Sequence, residues 1–334
     1  MSTLDRAPTI RDVAERAGVS KSLVSLALRG DPGVSEARRT AVERAADELG
    51  YRPNRIARAL GERRTGTVGV LLNDLRNPWF VDLLAGLTAT LDTVGLSPVL
   101  VDSATTRRVG GSPVDMLLQQ RVDGIVVVGT TEDGPALLRA AETTPLVLAG
   151  TYEPEDLGAD VVVNDDAAGA RLATAHLVAL GHTRIAHLVG PGRVGALRAE
   201  GYRAEMTEHG LEPVVLPGGM TEESGYAAAR RLLTGDDRPT AVVAYNDLAA
   251  IGALSAADDL TLRVPEDVSI VGYDNTYLAG IRHLSLTTVD NGTFAIGVQA
   301  ARWLGERVGG DTRAARLHRV PVSLVTRRTT SAPA

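Results

Sequence analysis

The chain has no cysteine in 334 residues. That removes a disulfide framework, a thiolate metal site and a cysteine nucleophile at once. Aromatics are scarce at 3%, with two tryptophans, two phenylalanines and seven tyrosines. Uncharged apolar runs stay short of the roughly 18 residues of a membrane span, and the opening MSTLDRAPTIRD has no apolar core for an export signal. The expectation is a cytoplasmic chain with no membrane attachment. Lysine is nearly absent too. Lys21 is the only one, and every other basic side chain is arginine.

What is present is ordinary for a globular protein: 44% apolar and 23% charged residues, enough for two or three domains. The net charge of −6 is unevenly distributed. Residues 1–65 hold 13 basic and 9 acidic side chains, a net +4, leaving 22 basic and 32 acidic, a net −10, for residues 66–334. A basic head on an acidic body is the layout expected when only the head meets phosphates, although chance clustering of arginine gives the same count.

In the head, Thr9 can cap a helix with Asp12 at its third position, Gly18 ends it, and Ser20 caps a second helix from Lys21 to about Leu28. Val13, Ala14, Ala17, Val24, Ala27 and Leu28 carry the spacing that joins two helices across a tight turn. Ser35 caps a third helix, EARRTAVERAADELG. This is the spacing of a helix-turn-helix, whose second helix enters the major groove by its start. Lys21, Ser22 and Ser25 would then face base edges, lysine donating to guanine N7 and O6 and serine donating or accepting. A helical hairpin packed on another element, with Lys21 merely solvated, has the same pattern.

Asn54 to Leu60 has helical spacing but is far shorter than the ~12 residues a lone helix needs to persist in water. Leu60, amid Arg55, Arg58, Arg63 and Arg64, suits a wedge between base steps in a minor groove; a plain linker is the alternative.

TIRDVAERAGVSKSLVSLALRG and VSEARRTAVERAADELGYRPNRIARAL resemble the DNA-binding head and hinge of the lactose-repressor and galactose-repressor family of bacterial transcription regulators. The likeness continues through NPWF, NDDAAGARLATAHLVALGHTRIAHLVG, AYNDLAAIGAL, VPEDVSIVGYDN, LTTVD and PVSLVTRRTT. It implies a sequence-specific regulator, a repressor, bound as a homodimer to a near-palindromic double-stranded operator and modulated by a small-molecule effector. It places DNA contacts at Thr9, Lys21, Ser22, Ser25, Leu26, Tyr51, Asn54, Arg55, Ala57, Arg58 and Leu60. Leu26 stands where relatives often carry arginine or another polar residue, which makes its base contact apolar or absent. The implied architecture is an all-α head at 1–52, a hinge at 53–65 and an α/β periplasmic-binding-protein-like body at 66–334. The body would divide into subdomains at about 66–163 and 164–288, with the C-terminal segment crossing back.

The body's own pattern agrees with that layout. VGVLLND, SPVLVD, GIVVVG and PLVLAG, then RIAHLVG, TAVVAYND and VSIVGYD, read as buried parallel strands alternating with helices, and such sheets bind ligands beyond the carboxyl ends of their strands. Trp79 and Phe80 at a helix start can stack on a sugar or base, or simply pack the core. Asn246, Asp247 and Asp274 follow strands, where amide and carboxylate suit vicinal hydroxyls. By resemblance Arg198, Asn246, Asp274 and, more weakly, Asn291 hold the effector, a carbohydrate in the leading reading and a purine or other metabolite as the alternative. Gly150 stands where the family often has a charged residue, and Met220 where an aromatic platform is frequent.

Enzyme signals are weak. GPGRVG at 190–195 fits G-x-G-x-x-G, but Pro191 lacks the N–H that a pyrophosphate would need, so a strand-to-helix turn aiming Arg198 at the cleft is the better reading. The six histidines show no H-x-x-x-H spacing and no G-x-S-x-G elbow exists. His182 is expected to satisfy the end of its helix. No catalytic residue, metal or cofactor is expected. The absence of a heptad-bearing tail favours a dimer over a tetramer.

Overall fold

Small side chains decide how the head folds. The computed structural model describes residues 8–28, 31–51, 64–129, 133–152, 157–235 and 237–334, in two units, Met1–Thr65 and Gly66–Ala334. In the first, α1 (Ile10–Ala17), α2 (Lys21–Ala27) and α3 (Glu36–Leu49) close on Val13, Ala14, Val24, Ala27, Val34, Val42, Ala45 and Ala46. The Asp12 carboxylate reaches back to the Thr9 N–H at 2.6 Å and hydroxyl at 2.7 Å, against the positive end of α1. Gly18 takes φ +68° to turn the chain, and the Ser20 hydroxyl accepts from Leu23 N at 3.2 Å to start α2. Ser35 stands in the N-cap position of α3, yet its hydroxyl makes no bond to the helix.

The second unit contains two six-stranded sheets. The first runs β2–β1–β3–β4–β5–β11, all parallel, from β1 (Thr67–Leu72), β2 (Ser97–Asp102), β3 (Ile125–Val128), β4 (Leu146–Ala149), β5 (Asp160–Asn164) and β11 (Leu317–Val320). The second runs β7–β6–β8–β9–β10–β12, from β6 (Ile185–Val189), β7 (Val214–Pro217), β8 (Ala241–Val243), β9 (Ser269–Tyr273), β10 (Thr287–Asp290) and β12 (Ser323–Val325), with β12 alone antiparallel. The IVVV of β3 is buried at every residue because helices cover both faces, which is why it reads as a continuous apolar run rather than an alternating one.

On the first sheet, α4 (Trp79–Thr93) and α12 (Thr293–Val308) cover one face, and α6 (Pro113–Gln119) and α7 (Gly134–Ala141), following the short α5 (Ser103–Arg108), cover the other. α4 and α12 touch backbone to backbone: a Cβ on Gly297 would stand 2.1 Å from Leu83 O, and one on Gly86 2.3 Å from Phe294 O. On the second sheet, α8 (Asp166–Ala179) and α9 (Gly192–Glu208) pack on one face, α10 (Glu222–Leu233) and α11 (Asp247–Asp259) on the other.

The chain passes between the two halves three times: from β5 into α8, from β10 into α12, and from β11 into β12. Strands β5 and β7 were not singled out in the sequence reading. β7 lies at a sheet edge and is half exposed, so VVLP lacks the full burial that marks its neighbours.

Candidate functional site

Between the two halves, beyond the carboxyl ends of both sheets, lies a narrow cleft of about 50 Å³. The first half contributes Asn73 after β1, Asn77, Trp79 and Phe80 at the head of α4, Gly129 after β3, Gly150 after β4, and Asn164 at the end of β5. The second contributes Val194 and Arg198 of α9, Met220, Tyr245 and Asn246 after β8, and Asp274 after β9.

Arg198 organises the second half's wall. GPGRVG is a strand-to-helix turn, as its proline suggested: Gly192 begins α9 at φ +68°, and a Cβ on Gly195 would strike Gly190 O at 2.0 Å. Two helical turns into α9, the Arg198 Nε donates to Asp166 Oδ1 at 2.9 Å, Nη1 donates to Tyr245 O at 2.6 Å, and Nη2 stands 3.7 Å from Asp274 Oδ1. Its guanidinium lies 3.6 Å from the Tyr273 ring centroid and 4.7 Å from that of Tyr245. Fixed on three sides, it is 5% exposed, and its planar fork is the reason arginine rather than lysine fits here.

Asp274 takes φ +111°, rare for a non-glycine residue and typical of strained functional positions. Burial pushes its carboxyl well above the usual range, opposed by the charge of Arg198. Asn291 donates to Asp274 Oδ1 at 3.0 Å. Among the described residues Asn291 and Arg198 both meet this carboxylate at Oδ1, and Asp274 lines the cleft.

Asn246 lines the cleft, but its amide is already engaged. Its Oδ1 accepts from Ala249 N at 2.9 Å to cap α11, and its Nδ2 donates to Met220 O at 3.0 Å. Its neighbour Asp247 turns into the second half, where it accepts from Thr276 N at 2.7 Å and from the Thr276 and Thr288 hydroxyls at 2.9 and 2.6 Å. Burial pushes the Asp247 carboxyl up to about 6 against those bonds. Asn291 is 1% exposed and stands behind Asp274 rather than in the cleft wall.

Trp79 and Phe80 both reach the cleft while also belonging to the core of the first half, so the stacking and packing readings coexist. Their rings meet edge to face at 5.3 Å. A Cβ on Gly150 would lie 2.3 Å from the Trp79 Cη2. The indole occupies the space that a charged side chain at position 150 would need. Among the described residues the buried Trp79 Nε1 has no hydrogen-bond partner. Sequence reasoning missed Asn73, Asn77, Asn164 and Tyr245; Asn73, Asn164 and Tyr245 stand at strand ends and Asn77 at the head of α4, positions that were their only available signal.

In the head, Lys21 and Ser22 are exposed at the start of α2, while Ser25 is half-buried. Leu26 and Tyr51 are half-buried against the head's core, and Thr9 is half-buried with its N–H and hydroxyl on Asp12. Asn54, Arg55, Ala57, Arg58 and Leu60 lie outside the described residues. His182 departs from expectation: only its backbone N–H serves its helix, donating to Leu177 O at 3.1 Å. Its ring is buried between Thr240 Oγ1 at 2.9 Å and the Ser331 carbonyl at 2.9 Å, fastening the C-terminal segment.

Residues 9–54 match the family described as bacterial regulatory proteins, lacI family, and residues 174–330 match the periplasmic binding protein-like domain. The ribose operon repressor of Escherichia coli (strain K12) is 34% identical over 322 residues, 94% of this chain and 97% of that protein. The chain belongs to the lacI family of bacterial regulatory proteins. It is a DNA-binding transcription regulator with a helix-turn-helix head and a periplasmic-binding-protein-like body. The regulator CelR of Thermobifida fusca is 36% identical over 323 residues, 92% of this chain and 94% of that one. Among solved structures, a lac repressor dimer bound to operator and the anti-inducer ONPF is 31% identical with a TM-score of 0.83, covering 98% of this chain and 100% of that one. A CelR–cellobiose complex is 32% identical with a TM-score of 0.71, covering 96% of this chain and 99% of that one. These relatives of the family are regulators rather than enzymes. Among the described residues no helix is long and apolar enough to cross a membrane.

Proposed function

We propose that this family member is a repressor that binds a near-palindromic operator as a homodimer and alters its grip when a sugar or sugar derivative fills the cleft. The observation that carries the ligand reading is the Arg198–Asp274 pair. A guanidinium donor and a carboxylate stand side by side in the cleft wall, matching the accepting and donating roles of adjacent hydroxyls. Trp79 and Phe80 oppose them with an apolar wall for a ring face. The ribose operon repressor and the CelR–cellobiose complex among its relatives support the same class of ligand.

In this reading residues 1–52 read DNA, 53–65 form the hinge and 66–334 bind ligand and partner. Lys21 and Ser22 make base contacts, and Leu60 wedges the minor groove at the operator centre. The dimer reading draws on two supports. One helix-turn-helix reads one half-site, and both halves of the body expose large apolar side chains, Val81 (55%) and Leu100 (46%) on the first and Tyr277 (63%) and Ile281 (44%) on the second. A thermal-shift and mobility-shift screen of sugars against the wild type and Asp274→Ala tests the site. The expected result is a sugar that stabilises only the wild type and changes its operator shift; a sugar acting equally on both proteins rejects this cleft.

A further inference from the structure

The charges around the cleft carry the ligand class one step further. Among the described lining residues Arg198 is the only cation, and its charge is neutralised before any ligand arrives by Asp166 at 2.9 Å, with its second nitrogen donating to Tyr245 O. Asp274 shares the same wall, and Asp247 lies fully buried close behind it, near enough to raise its carboxyl. With Asp274 ionised, two carboxylates, Asp166 and Asp274, face one guanidinium. With Asp274 protonated, Arg198 and Asp166 still cancel. Neither state leaves positive charge over.

The remaining polar lining is amide. Asn77 Oδ1 accepts from Trp79 N at 3.0 Å, and Asn164 Nδ2 donates to Asp166 at 3.0 Å and to the Tyr273 hydroxyl at 2.9 Å. Arg193 at the start of α9 lies over the Tyr152 ring, 5.4 Å from its centroid, outside the lining.

We propose that the cleft selects an uncharged sugar and rejects the corresponding phosphate ester. The proposal rests on the sugar reading above and narrows it by charge. A phosphomonoester brings a charge of about −1.5 to −2 at neutral pH into a site that offers no unpaired cation, and it must be desolvated there beside Asp274. The amide groups and the Arg198–Asp274 pair replace the hydration of hydroxyls, not of a dianion. The start of α9 has no side-chain cap, and it is a place where an ester could bind if the proposal is wrong.

The test is calorimetric titration of the full chain with ribose, glucose, galactose and cellobiose, each as the free sugar and as its terminal phosphomonoester, at matched ionic strength. At least one free sugar is expected to bind, with its ester weaker by about tenfold or more. Met220→Lys adds a cation to the same wall and is expected to shrink that gap by strengthening the ester. An ester that binds the wild type as tightly as its parent, or binds where the parent does not, overturns the selection while leaving the sugar reading intact. Silence of all eight compounds rejects the sugar reading, and the inference falls with it. The wild-type comparison decides the matter even if the Met220 variant does not fold.

Discussion

Arg198 and Asp166 form an ion pair at 2.9 Å with side chains only 6% and 1% exposed. Asp166 opens α8 immediately after the first crossing between the halves, and Asp274, the second acid beside Arg198, is held by Asn291 in the second crossing. One guanidinium therefore faces the cleft and braces two of the three connecting segments. In the proposed reading, a ligand that competes for Arg198 or Asp274 acts directly on segments that connect the halves.

Removing either partner of that pair leaves the other charge buried alone. Arg198→Met or Asp166→Asn is expected to destabilise the body by about 3–5 kcal/mol in urea unfolding. Arg198→Lys should recover little, because one ammonium cannot reproduce the fork to Asp166 and Tyr245. Full stability in the lysine variant would contradict this geometry.

At Gly150 two constraints coincide, a φ of +68° and the Trp79 indole where a Cβ would go. Gly150→Ala should cost about 1–3 kcal/mol. Combining it with Trp79→Leu should cost less than the two changes summed, since the second makes room for the first. Strict additivity in that cycle would show that the indole does not set the glycine.

Much of this was legible in the sequence. The head's caps at Thr9, Ser20 and Gly18 and the buried runs of β1, β3, β6 and β9 are local signals, readable from one segment at a time. So was the turn that aims Arg198, because Pro191 excludes the rival use of its glycines. Long-range geometry was not readable. That Asn246 is consumed as a cap and by Met220 O, that Asn291 stands behind Asp274, and that His182 anchors the C-terminal segment depend on residues 17 to 149 positions apart. The same holds for Gly150, which stands where the family often has a charged residue: the Trp79 indole, 71 positions away in sequence, fills the space a side chain there would need.

His187 gives the fold an acid-labile element. Burial beside Tyr202 lowers its pKa from 6.5 to about 4, with Val243 O bonded to Nδ1 at 3.0 Å. Between pH 4 and 6.5 the unfolded chain binds a proton that the folded chain refuses, so stability falls as pH drops through that window. Asp247, raised from 3.8 to about 6, works in the opposite sense, since the folded state holds its proton there. His187→Leu should therefore flatten the loss of stability on acidification, measured as urea midpoints across the window; an unchanged slope would remove His187 from the account. Asp160, lowered from 3.8 to about 2 against its burial by Arg307 and Arg316, adds stability that is present above pH 3.8 and lost only toward pH 2.

Lys21 is exposed at the start of α2, and in the proposed reading its ammonium donates to base edges. Lys21→Ala should weaken operator binding by about 1–3 kcal/mol while changing binding to random DNA much less. Equal losses on both DNAs, in mobility shifts at fixed salt, would reduce Lys21 to a phosphate contact.

Fluorescence anisotropy of a labelled operator fragment, titrated with protein with and without the sugar found in the cleft screen, bears most directly on the coupling of cleft to DNA. The wild type should change operator affinity by about 5–150-fold on sugar addition, and Asp274→Asn should bind operator without that response. An operator affinity indifferent to the sugar in the wild type, or an undiminished response in Asp274→Asn, would contradict it.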